Sequence, residues 1–243
     1  GAGASSGAES VQMPYVGLAG LLVLLAVVMS SLRLPQVDEA EEEGSDPDWD
    51  TLPDADSAWG YSHLVLGALG IFVYVGAEVS IGSFLINFFA DESIAGLEEA
   101  QAAKYVSFYW GGAMVGRFAG ALAMRRIDAG KALAFNATLA SLFVLLTVTG
   151  SGTFAMWTIL LVGLCNSIMF PTIFSLAITG LGKHTSQASG ILCLAIVGGA
   201  LIPLLQGYVA DAYGVQRAFS VAVICYVYIA YYGLSGSRTS VAN

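Results

Sequence analysis

Residues Ser62–Phe89 read SHLVLGALGIFVYVGAEVSIGSFLINFF, and one charged side chain, Glu78, interrupts an otherwise apolar run. A bilayer-spanning helix needs about 20 mostly apolar residues. This stretch exceeds that requirement and places its carboxyl group near mid-span. Six further stretches meet the same criterion: Val11–Leu32, Tyr105–Met124, Lys131–Thr149, Thr153–Leu181, Gln187–Ala210 and Gln216–Leu234. The expected fold class is therefore an all-α membrane protein with seven transmembrane helices. Composition agrees. The 243 residues are 56% hydrophobic and 11% charged, whereas soluble domains carry about 25% charge. A soluble enzyme, a nucleic-acid binder and a disordered chain are all disfavoured.

The net charge of −9 is local. Ten of the 18 acidic residues lie between Asp38 and Asp56, with no Lys or Arg among them. The surrounding segment 33–61 also holds Pro35, Pro47 and Pro53 and shows no apolar period, so it reads as a solvent-exposed linker. Three domains follow: 1–32, one helix; 33–61, the acidic linker; and 62–243, a six-helix block. With the linker on the cytoplasmic side, that side carries Arg33, Arg125, Arg126, Lys131, Lys183 and Arg238, and the other carries Lys104 and Arg217. This is the expected inside bias of basic residues. Cys165, Cys193 and Cys225 sit in apolar runs without metal-ligand spacing and read as small core residues. The chain opens without Met or a basic leader, which suggests processing or a fragment.

Glu78 is the most informative residue. A charged group at that depth costs about 2.5–3.5 kcal/mol on insertion scales, and such groups face bundle interiors or wet cavities. It is suited to binding a proton or accepting hydroxyl groups; the competing reading is a structural hydrogen bond to a neighbouring helix. Tyr74, four residues earlier, shares its face. Asn166 is an amide inside a span, and Tyr109 and Trp110 combine an apolar ring with a polar tip. Asn136 and Gln206 are further candidates, while Asn87 falls on the opposite face. Arg117 either snorkels toward the interface or acts in gating through a carboxylate. His63 and His184 lie at span ends. Gly112, Gly116 and Gly120 form a small-residue stripe suited to static close packing or to a sliding contact. Pro14, Pro171 and Pro203 fall inside spans and permit kinks. No catalytic set, phosphate loop or zinc motif occurs, so an enzyme is not expected and no cofactor or metal is implied.

Four segments carry a family resemblance: YVGAEVSIGSFLINFF (Tyr74–Phe89), YVSFYWGGAMVGRFAG (Tyr105–Gly120), CNSIMFPTIFSLAITGLG (Cys165–Gly182) and SGILCLAIVGGALIPLLQGYVAD (Ser189–Asp211). They resemble the fucose/glucose/galactose sugar-proton symporters of the major facilitator superfamily. Glu78 is similar to the glucose/galactose branch, since the fucose branch has an amide there; Phe170 stands where that branch has a tyrosine. GRFAGALAMRRIDAGK (Gly116–Lys131) resembles a degenerate form of the basic turn found in this superfamily. The resemblance implies twelve helices in two halves. The seven spans then correspond to helix six and the C-terminal six-helix half, leaving an N-terminal part outside this chain. It implies alternating-access import of a hexose, glucose or galactose, with protons across a bacterial inner membrane. Glu78, Asn166, Tyr74, Tyr109 and Trp110 are then the expected sugar-binding residues; the family's proton-coupling carboxylates are expected largely in the absent half, and Glu78 and Arg117 are this chain's own candidates for gating or proton coupling. The expected partners are a monosaccharide, protons, the lipid bilayer and the N-terminal half of the carrier, with no nucleic acid. Sodium coupling, efflux and a seven-helix receptor are the alternatives. A retinal pigment is excluded, because Lys104, Lys131 and Lys183 all lie outside mid-span.

Overall fold

The computed structural model describes residues 16–17, 19–25, 27–28 and 57–239. The chain divides into two units, Gly1–Asp48 and Trp49–Asn243. In the first, the described residues lie within the expected span Val11–Leu32 and are helical. Most of the acidic linker, and Pro14, lie outside the described residues.

The second unit is helical throughout, with no β-strand among the described residues. Its helices are α1 (Ser62–Ala90), α2 (Glu99–Ala123), α3 (Ala129–Thr149), α4 (Gly152–Asn166), α5 (Met169–Ile178), α6 (Thr185–Ala195), α7 (Gly198–Tyr213), α8 (Val215–Ala218) and α9 (Ser220–Tyr231). A π-turn, Tyr232–Gly236, follows α9. Five described helical stretches are long and apolar enough to cross a bilayer: Ser62–Ala90, Ala129–Thr149, Gly152–Ile178, Gly182–Tyr213 and Val215–Gly236. Each coincides with an expected span. The expected span Tyr105–Met124 forms as α2, 25 residues long, but α2 falls short in apolarity because its most apolar stretch carries Arg117 and four glycines.

Two expectations need correction. The linker's last residues are not loose: Ala58–Gly60 form a 3-10 turn, Tyr61 is buried, and the Ala58 N–H donates to Gln187 Oε1 at 3.2 Å. A buried aromatic ring and a backbone donor paired to a side chain anchor what composition alone presented as a solvated tail. Cys193 is exposed on α6, whereas Cys165 and Cys225 are buried, so only two of the three thiols are core residues.

α1 is the central helix and packs on α2, α5, α7 and α9. Close approach is set by glycine. A Cβ at Gly198 of α7 would collide with the Phe72 carbonyl oxygen of α1, and one at Gly163 of α4 would collide with the Tyr109 carbonyl oxygen of α2. The stripe Gly112–Gly116–Gly120 lies against Leu164, Ser167 and Ile168, which places α2 flush on the junction between α4 and α5. Outside the spans, the loop after α1 is shaped by Asp91. Its carboxylate accepts hydrogen bonds from the Ser93 hydroxyl at 2.7 Å and the Ser93 N–H at 2.8 Å, which hold it below the usual carboxylate range.

Candidate functional site

Tyr74 and Glu78 are one turn apart on α1, as their spacing requires. The Tyr74 hydroxyl lies 2.8 Å from Glu78 Oε1 and 3.0 Å from the backbone carbonyl oxygen of Asn166. Asn166 is the last residue of α4. Its side-chain amide donates to the Tyr109 hydroxyl at 2.8 Å, and its Oδ1 accepts from the Tyr226 hydroxyl at 2.8 Å. One network thus joins α1, α2, α4 and α9. Tyr74, Tyr109, Asn166 and Tyr226 are each 2% exposed or less. Glu78 is half-buried and is the partly exposed member of the network.

Gly82 continues the face of Tyr74 and Glu78 by another turn, and a Cβ there would meet the Trp110 ring at 3.4 Å. Trp110 is 48% exposed and packs edge-on against Tyr109, with centroids 5.3 Å apart. A carboxyl group one helical turn from the glycine that faces a partly open indole is an arrangement that can receive a polyhydroxylated ring: the carboxyl accepts hydroxyl protons and the indole covers an apolar face. Phe170 packs at 6.3 Å against Tyr74.

The α4–α5 span breaks at Ser167 and Ile168. Pro171 has no N–H, so the Ser167 carbonyl four residues earlier lacks its helical donor. Arg117 supplies one, donating from Nε to that oxygen at 3.3 Å. Arg117 as a whole is exposed, and its charge is felt at Glu78. The structure therefore joins Glu78, Tyr74, Asn166 and Tyr109 by hydrogen bonds, sets Trp110 beside them, and holds Arg117 at the adjacent helix break.

The remaining candidates lie elsewhere. Asn87 lines a separate cavity of about 590 Å³ with Asp91 and Glu99. Asn136 donates to the Ala132 carbonyl of its own helix at 3.0 Å. Gln206 is buried and donates to the Ser80 carbonyl oxygen at 3.3 Å, joining α7 to α1. His63 is buried, with its Nε2 3.0 Å from the Thr179 carbonyl oxygen, and His184 packs on Tyr61 at 5.9 Å. Among the described residues, no cluster of three or more His, Cys, Asp or Glu side chains could hold a metal. Sequence reasoning missed Tyr226. The available signal was a phenol in the apolar run Ser220–Tyr231, because a buried Tyr hydroxyl usually finds a partner.

Comparison with known proteins places this geometry. Residues 2–195 match the family model of the Major Facilitator Superfamily. A glucose/galactose transporter of Brucella abortus biovar 1 is 58% identical over 232 residues, covering 96% of this chain and 55% of that protein. A putative glucose/galactose transporter of Helicobacter pylori is 46% identical over 237 residues, covering 95% and 56%. A crystal structure of a Major Facilitator Superfamily transporter, FucP, in the outward conformation aligns with a TM-score of 0.79 at 28% identity. That alignment covers 95% of this chain and 55% of FucP. The chain spans about half the length of the curated relatives it matches.

Proposed function

We propose, from the premise that this chain belongs to the Major Facilitator Superfamily, that it supplies the C-terminal part of a hexose-proton symporter. It corresponds to helix six, the acidic cytoplasmic linker and the six-helix C-terminal half of a twelve-helix carrier. Within that assignment α2 counts as a span despite its charge, since Lys104 lies near one end and Arg117 is satisfied by the Ser167 carbonyl. The names of the relatives, glucose/galactose transporters at 58% and 46% identity, support glucose or galactose as substrate. The L-fucose-proton symporter of Escherichia coli, 29% identical over 233 residues, supports the proton as the coupling ion. The location is the bacterial inner membrane, and the partner is the N-terminal half of the same carrier.

The observation that carries this reading is a half-buried carboxyl, Glu78, at the open end of a network whose other members are buried. Glu78 and Trp110 make the sugar contact, the first by accepting hydroxyl protons and the second by covering a ring face. Tyr74, Asn166 and Tyr109 form the base of the site and fix the Glu78 rotamer. Fixing the carboxyl in advance removes most of the ordering cost from the binding step. Glu78 also exchanges the coupled proton, and Arg117 sits at the helix break beside it as the gating cation. Alternating access then rocks the two halves about a site at the bilayer midplane.

The test is uptake of labelled glucose and galactose by cells expressing the full-length gene product, with and without Glu78→Gln. Accumulation driven by an inward proton gradient is expected, with loss of accumulation in the variant. Uptake that follows a sodium gradient at fixed pH, or a variant that accumulates sugar like the parent, refutes the proposal.

A further inference from the structure

The Tyr74 hydroxyl carries one proton and lies within hydrogen-bond distance of two acceptors, Glu78 Oε1 at 2.8 Å and the Asn166 carbonyl oxygen at 3.0 Å. A phenol donates one full hydrogen bond and can accept another. If Glu78 were ionised here, both neighbours would be acceptors competing for one proton, and a buried carbonyl at a helix end would go short. If Glu78 is protonated, the count closes: Glu78 O–H donates to Tyr74 Oη, and Tyr74 O–H donates to Asn166 O. The Asn166 side chain cannot relieve the shortage, because its amide is engaged by Tyr109 and its Oδ1 by Tyr226.

Building on the reading of Glu78 as the proton site, we infer that Tyr74 is a positioning residue that passes the protonation state of Glu78 to the break between α4 and α5. With Glu78 protonated, Tyr74 ties α1 to the Asn166 carbonyl, immediately before the unwound pair Ser167–Ile168. When the proton leaves to the aqueous cavity, the Tyr74 hydroxyl turns to the carboxylate and Asn166 O loses its donor. The neighbouring Ser167 carbonyl has no helical donor either, because of Pro171, and depends on Arg117. Arg117 is also the cation that interacts with Glu78. Loss of the proton therefore draws Tyr74 toward the carboxylate and away from the first of two consecutive carbonyls at the break, leaving Arg117 on the second as the remaining side-chain donor there.

The titratable and charged groups acting on Glu78 are Tyr74 on its own helix and Arg117 on α2, and Glu78 in turn acts on Tyr109 of α2 and Tyr226 of α9. The three phenols differ in wiring. Tyr109 and Tyr226 engage the Asn166 side chain, and Tyr74 alone bonds both the carboxyl and the backbone at the break.

The experiment measures the pH profile of galactose binding to the full-length gene product in proteoliposomes, for the parent, Tyr74→Phe and Glu78→Gln. The Tyr74 hydroxyl donates to Glu78 Oε1 when the carboxyl is ionised, and that charge-assisted bond is stronger than the neutral bonds it replaces. Its removal should then move the pH midpoint of binding to the alkaline side by roughly half to one pH unit, the equivalent of one net hydrogen bond. A midpoint that stays put or moves to the acid side in Tyr74→Phe, while Glu78→Gln removes the pH dependence, overturns the role of Tyr74 and leaves Glu78 standing. A Glu78→Gln protein with the parent's pH profile overturns both. Infrared difference spectra of the unmutated protein put the same question without a folding risk. Carboxyl protonation should be accompanied by a change in the tyrosine ring C–O band, and a carboxyl signal with no tyrosine change contradicts the inference.

Discussion

The spans Gly152–Ile178 and Gly182–Tyr213 are alike in outline and opposite in environment. Each is broken by a two-residue turn, at Ser167–Ile168 and at Ile196–Val197, and each carries a proline beyond the break, Pro171 and Pro203. Yet 61% of the apolar stretch of the first is buried within the chain, against 17% of the second. The buried span places its break under a hydrogen-bond network and leaves few large side chains outside. The other seats Gly198 and Gly199 on α1 and turns Leu194, Leu201, Leu204 and Tyr208 outward, each more than half exposed. The contrast teaches that a proline break in an apolar helix does not by itself mark a site. What distinguishes the α4–α5 break is that the freed backbone oxygens meet donors from other helices, Tyr74 and Arg117.

The sharpest way to break this comparison is at the glycines. Gly198→Ala and Gly163→Ala each drive a Cβ into the backbone of a neighbouring helix. The expected cost is about 3 kcal/mol or more, read as loss of folded protein in detergent melts. Gly190→Ala, with nothing within 4 Å, should be neutral or slightly stabilising. Equal tolerance of all three would mean that the helices do not approach as described. Next in size is Asn166→Leu, which leaves the Tyr109 and Tyr226 hydroxyls without their partner, at about 1–3 kcal/mol for each buried group. Leu204→Ala on the exposed face of α7 should change the same melt by no more than about 0.5 kcal/mol.

Smaller effects separate the two prolines. Pro171→Ala restores an N–H for the Ser167 carbonyl and so competes with Arg117. Uptake should fall several-fold while stability holds. Pro203→Ala restores an N–H for the Gly199 carbonyl, where no side-chain donor is displaced, and uptake should be unchanged. Matching uptake in the two variants would remove the distinction drawn between the breaks. Smallest is Tyr226→Phe, which deletes one hydrogen bond to Asn166 Oδ1, worth about 1 kcal/mol net. Sugar affinity should weaken by about fivefold.

Much of this was legible in the sequence because the information was local. The position of α1 and the shared face of Tyr74 and Glu78 follow from one apolar run and a four-residue spacing. The polar character of Asn166 stood out for the same reason. Tyr226 was not legible, since its partner lies 60 residues away and nothing in SVAVICYVYIAY separates it from Tyr228. Pro171 signalled a kink, but not that Arg117, fifty residues upstream, would satisfy the oxygen it frees. The break at Ile196–Val197 was hidden too, because Pro203 lies a further turn and a half along an uninterrupted apolar run. The shortfall of α2 in apolarity lies inside the expected span itself, in Arg117 and in Gly111, Gly112, Gly116 and Gly120. Ala58–Tyr61 looked like linker because an acidic run flanked them, and only packing shows that Tyr61 is buried.

The central claim, that Glu78 carries the coupled proton, is tested most directly by recording proton movement when galactose is added to proteoliposomes at zero initial gradient. The full-length parent should take up protons with the sugar, and Glu78→Gln should equilibrate galactose with no accompanying proton signal. Proton uptake at the parent's rate and stoichiometry in Glu78→Gln would contradict the account.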